Sequence, residues 1–109
     1  MANEMKLICD KLGVDIYEII EAAKTKPFGF NAFYPGPGLG GHCIPIDPLF
    51  ITWWAKKNKI NAEFISLSHK INKKMPSYIF NKLLKIKKKY KIKNIFIFGV
   101  AYKKNIDDI

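Results

Sequence analysis

The sequence predicts a mostly α-helical chain that closes with a single β-strand. Three observations carry that prediction: apolar residues recur at helical spacing through most of the chain, one glycine- and proline-rich stretch breaks the pattern, and one unbroken apolar run stands near the end. The 109 residues suffice for a small domain with a core. At 49% hydrophobic and 26% charged residues, composition is that of a globular protein rather than a disordered one.

A first helix is expected over residues 2–12, with Met5, Ile8, Cys9 and Leu12 on one side and Gly13 as its stop; no capping residue precedes it. Asp15 followed by Glu18 is a capping-box pattern that starts a second helix over 16–24. Residues 25–46 then fit no period, and they hold five of the seven glycines and four of the six prolines. A loop that long, interleaved with Phe28, Phe30, Phe33 and Tyr34, reads as ordered and functional. Asp47-Pro48 reads as an N-cap with proline at the first helical position, giving a helix over 48–58. Helical spacing resumes near Ala62, and Pro76 leaves open whether one kinked helix or two follow. The run Ile95-Phe96-Ile97-Phe98-Gly99-Val100 has the pattern of a strand buried on both faces of a parallel sheet.

Net charge is +10, carried by nineteen lysines with no arginine, and the lysines crowd between Lys82 and Lys93. A polyanion partner is the first reading of such charge. Specific nucleic-acid readers rely on the bidentate guanidinium, however, and the run reads as the solvated side and exit of a helix. Nucleic acid is therefore not an expected partner. No apolar run approaches the roughly 20 residues of a membrane span, and no secretory leader opens the chain, so no membrane partner and a cytoplasmic location are expected. Cys9 sits on the apolar helix face as a buried thiol. A disulfide to Cys43 is not expected in a reducing compartment, and two Cys with His42 and His69 are too few and too scattered for zinc.

Cys43 has different surroundings. Gly38, Gly40 and Gly41 allow backbone to approach a bulky ligand where side chains would collide. A thiol just ahead of a helix start lies near free amides and the positive end of the helix dipole, which favour a thiolate nucleophile and can hold an oxyanion. Asp47 is close enough in sequence to orient or deprotonate a water. From these residues alone, a buried structural cysteine with Asp47 acting only as a cap stays equally open.

The segment from Thr25-Lys26-Pro27-Phe28-Gly29-Phe30 through Tyr34-Pro35-Gly36-Pro37-Gly38-Leu39-Gly40-Gly41-His42-Cys43-Ile44-Pro45-Ile46-Asp47-Pro48 resembles the active-site loop of the UDP-glucose/GDP-mannose dehydrogenase family. It looks most like the branch acting on UDP-N-acetylhexosamines. Phe98-Gly99-Val100-Ala101-Tyr102-Lys103-Lys104-Asn105-Ile106-Asp107-Asp108 is similar to the start of that family's third domain. The resemblance implies a helical central, dimer-forming domain of the 6-phosphogluconate-dehydrogenase-like type over 1–92, with its active-site loop over 25–47. Residues 93–109 would begin a Rossmann-like UDP-binding domain. It further implies oxidation of a sugar C6 alcohol to the acid with two NAD, through a thiohemiacetal and thioester on Cys43, with Asp47 helping to activate water. Substrate, a UDP-N-acetylhexosamine or UDP-hexose, would meet Phe33, Tyr34, Gly38, Gly40, Gly41, Tyr102 and Lys103. His42 is expected to pack in the loop, and Lys24 or Lys26 to reach a neighbouring subunit's substrate.

The departures bear on turnover. No Gly-x-Gly-x-x-Gly follows a strand, and the Gly36–Gly41 spelling follows none and opens no helix, so no NAD-binding residue is assigned. Asn3-Glu4 does not match the family's catalytic Lys-x-x-x-Asn. The chain is therefore expected to be part of a dehydrogenase, inactive alone. The alternative is a non-catalytic module for sugar-nucleotide binding or dimerisation.

Overall fold

The computed structural model describes residues 1–99, 101 and 103–105. The chain forms two compact units, Met1–Gly36 and Pro37–Ile109. The described residues hold four α-helices and no β-strand.

In the first unit, α1 (Ala2–Leu12) and α2 (Ile16–Lys24) pack against each other. Gly13 ends α1 at φ 72°, a left-handed conformation that glycine adopts without a Cβ clash, and its amide donates to the Cys9 carbonyl. Asp15 starts α2 as the sequence predicts: its carboxylate accepts from the Tyr17 amide at 2.8 Å. A cap of this kind stabilises a helix by about 1 kcal/mol. Cys9, Ile16 and Ile20 form the core, and Ala32 from the following loop packs onto it. Cys9 is thus the buried structural thiol that helix periodicity indicates.

In the second unit, α3 (Cys43–Lys57) packs on α4 (Glu63–Tyr90), with Ala55 and Met75 buried. The expected start of α3 at 48 is corrected by five residues, and the irregular stretch ends at His42 rather than 46. Asp47 is therefore not the cap; His42 is. Asp-Pro mimics a cap followed by a first helical residue, but Pro45 is itself tolerated in the first turn, where amides lack helical partners anyway. Pro48 then lies inside the helix, at the loss of one ladder bond. The question at Pro76 resolves as one continuous helix of 28 residues through the proline. Lys91, at φ 51°, ends it, its amide reaching the Lys87 carbonyl.

The expected strand at 95–100 is not formed among the described residues. Ile95 to Gly99 are irregular, and Phe96, Ile97 and Phe98 are each more than 80% exposed. A strand exists through the ladder it shares with a neighbour, and among the described residues there is no second strand. Val100 lies outside the described residues.

Candidate active site at the start of α3

Gly41 takes φ 80°, where any side chain would be strained, and so turns the chain directly into His42 and the first turn of α3. Gly38 is half-buried with the Pro76 side chain 3.9 Å from where its Cβ would stand, and Gly40 is exposed. Cys43 is the first residue of α3, and its thiol is exposed. It is closer to the helix than the sequence indicates: rather than preceding the helix, Cys43 stands in its first turn, where backbone amides lack helical partners.

Because α3 begins at Cys43, Asp47 follows it by one helical turn on the same face. Side chains so spaced have Cβ atoms about 5–6 Å apart, close enough to share one small reactant or water. Asp47 is exposed as well. Phe50 and Trp54 continue that face at the next two turns, 66% and 65% exposed. Sequence reasoning missed this aromatic extension because it started the helix at 48. Ile44, Pro45 and Pro48 point to another side, where with Leu39, Phe64 and His69 they line a cleft of about 250 Å³ against α4.

Phe33 and Tyr34 belong to the first unit. Phe33 is 73% exposed and borders an apolar hollow with Met5, Ile19 and Phe30. The Tyr34 hydroxyl donates to the Glu21 carboxylate at 2.5 Å, its ring stacks on Tyr17 with centroids 6.3 Å apart, and two residues on the Gly36 amide donates to Asn3 Oδ1 at 2.9 Å. The hydrogen bond from Tyr34, aided by Lys24, holds the Glu21 carboxyl below its ordinary range, and the same bond raises the Tyr34 hydroxyl. Lys24 is raised by the Glu21 charge beside it. These contacts fasten the loop; Glu21 was not singled out from the sequence and Asn3 was given no such role, because their partners lie 13 and 33 residues away, beyond any local pattern. Lys103 is exposed; Tyr102 lies outside the described residues. No cluster of three or more His, Cys, Asp and Glu side chains suited to a metal occurs among the described residues.

Residues 1–74 match the central domain of the UDP-glucose/GDP-mannose dehydrogenase family. The chain belongs to that family. It is similar to UDP-N-acetyl-D-mannosamine dehydrogenase of Methanococcus maripaludis, 44% identical over 99% of this chain and 25% of the relative. It is also similar to the NDP-N-acetyl-D-galactosaminuronic acid dehydrogenase of Ralstonia nicotianae, at 38% identity over 99% of this chain and 25% of the relative. Among solved structures, the UDP-N-acetyl-mannosamine dehydrogenase of S. aureus superposes with a TM-score of 0.80 at 36% identity, covering 98% of this chain and 25% of that one. The chain thus spans about a quarter of the length of these family members.

Proposed function

We propose that this stretch carries the thiol chemistry of a nucleotide-sugar 6-dehydrogenase that oxidises the C6 alcohol of a UDP-N-acetylhexosamine or related UDP-sugar to the uronic acid. The observation that carries the reading is Cys43 and Asp47 exposed one turn apart at the start of a helix, behind a turn at Gly41 whose φ of 80° would strain a side chain. The family and the names of its relatives supply the substrate class.

In this reading the Cys43 thiolate adds to the C6 aldehyde carbon, and the carbonyl π electrons move to oxygen to give a thiohemiacetal. The α3 amides stabilise that oxyanion. Once an NAD held by a part of the dehydrogenase outside this stretch had taken the hydride from that carbon, a thioester would stand on Cys43; water then adds to its carbonyl carbon as Asp47 accepts a water proton, and the C–S bond breaks to return the thiolate and release the acid. The two oxidations remove four electrons, for which the family resemblance implies two NAD. The described residues do not fit NAD: they contain no strand, glycine turn and helix of the kind that cradles its pyrophosphate, and none of the groups above would hold it.

Residues 1–92 then act as the helical central domain, which would also form the dimer, and 93–109 as the start of a UDP-binding domain that brings Lys103 to the substrate. The 109-residue stretch alone reduces no NAD in this reading. The deciding experiment places Cys43→Ala and Asp47→Asn in a complete dehydrogenase containing this stretch. Cys43→Ala should abolish acid formation, and Asp47→Asn should let a covalent sugar adduct accumulate on Cys43, visible by mass spectrometry. Acid formation at an undiminished rate in Cys43→Ala would end the proposal.

A further inference from the structure

The irregular segment of the first unit is tied to α1 and α2 at every second residue. Ala32 packs onto the core of Cys9, Ile16 and Ile20. Tyr34 donates its hydroxyl proton to Glu21 Oε1 at 2.5 Å and lays its ring on Tyr17. Gly36 donates its amide to Asn3 Oδ1 at 2.9 Å. The other oxygen of Glu21 lies 3.5 Å from Lys24 Nζ, so Tyr34 meets a charged carboxylate held from two sides. All of these groups belong to Met1–Gly36.

Gly36 is also where a different kind of chain begins. Four of the six residues from Gly36 to Gly41 are glycine, and Cys43 follows two residues later as the first of α3. Glycine has more backbone freedom to lose than any other residue, so this segment is costly to order. The bond from Gly36 to Asn3 settles where it leaves the first unit. A chain that departs from a fixed point has fewer conformations open to it than one whose departure is free. Asn3 and Glu21 thus act on backbone beyond their own contacts.

We propose that Glu21 and Asn3 are positioning residues for sugar-nucleotide binding: by holding Tyr34 and Gly36 they order the glycine-rich backbone that leads to Cys43, and Tyr34 serves this latch rather than donating to the substrate. The proposal rests on the dehydrogenase reading, in which a sugar whose C6 meets Cys43 lies against the residues just ahead of it. Glycine backbone suits that close approach. A phenol has one proton, and that of Tyr34 is already given to Glu21. Order set before binding raises affinity rather than rate. When only a fraction of molecules holds the segment in place, apparent affinity falls by that fraction. Bound substrate then keeps the segment ordered for the chemical step, so the effect falls on KM.

The test is steady-state kinetics of a complete dehydrogenase containing this stretch. The substrate is UDP-N-acetylmannosamine, UDP-N-acetylglucosamine or UDP-N-acetylgalactosamine, whichever the unmodified enzyme oxidises. Tyr34→Phe and Glu21→Ala should each raise KM about fivefold, and the double variant should raise it no further. Asn3→Ala should raise KM about tenfold, since its bond is the more buried of the two. In every variant kcat should stay within about twofold of the unmodified enzyme. Glu21→Gln keeps an oxygen that accepts the Tyr34 proton and should return KM to within about twofold. Tyr34→Phe removes one oxygen and leaves the ring to stack on Tyr17, so the outcome does not hang on survival of the fold. An unmoved KM in Tyr34→Phe, or a loss confined to kcat, overturns the proposal. So does a rise of about twenty-five-fold in the double variant, the product that a Tyr34 hydroxyl meeting the substrate directly would give. An unmodified enzyme that oxidises none of the three sugars would end the dehydrogenase reading and this proposal with it, whereas an active enzyme with unmoved KM ends this proposal alone.

Discussion

In the first unit four lysines stand with five carboxylates, whereas in the second fifteen lysines stand with four. The first unit also holds its irregular segment by directional bonds across long sequence distances, Tyr34 to Glu21 and Gly36 to Asn3. The second joins its helices through apolar packing at Ala55 and Met75 and leaves its thiol exposed. The contrast separates two tasks. One unit fixes where a loop sits, and the other leaves Cys43 and Asp47 exposed on a helix face among the described residues.

The two cysteines test this contrast most severely. In the native chain the exposed Cys43 should alkylate readily, while Cys9, 3% exposed, should react at least about a hundredfold more slowly because the first unit must open. Equal rates, read by peptide mass mapping after a short iodoacetamide pulse, would remove the distinction. Next in size is the packing of the second unit. Met75 is 1% exposed, and Met75→Ala should cost about 2–4 kcal/mol, measured by urea unfolding of the helices. A loss below about 1 kcal/mol would mean that this unit is held elsewhere.

The smallest effect concerns the loop fastening and depends on pH at both ends. Glu21 has a lowered pKa, so its contribution is present above the ordinary carboxylate range and is lost as pH falls through the folded-state value. Tyr34 has a raised pKa, so the neutral hydroxyl is favoured; that contribution holds below the ordinary phenol range and is lost as pH rises through the folded-state value. Glu21→Ala should return the Tyr34 titration, followed by ultraviolet absorbance, toward that of a free tyrosine. An unchanged curve would show that the bond does not form in solution.

Much of this was readable from residues alone. Period and caps located α1 and α2 to the residue, because Gly13 and Asp15 are local signals with local causes. The candidate nucleophile stood out through its glycines. The start of α3 was misread because Asp47-Pro48 imitates a helix opening while Pro45 hides inside the true first turn. Continuity across Pro76 rests on the packing of α4 against α3, which no window of sequence contains. The apolar run at 95–99 has the composition of a strand, but composition supplies no hydrogen-bonding partner.

Pro48 has one more consequence. Lacking an amide hydrogen, it leaves the Ile44 carbonyl without its usual helical donor, so the turn that bears Cys43 is tied to the body of α3 by fewer rungs than an ordinary turn. The first turn, which bears the exposed Cys43, is thus held by one hydrogen bond fewer than the turns that follow it.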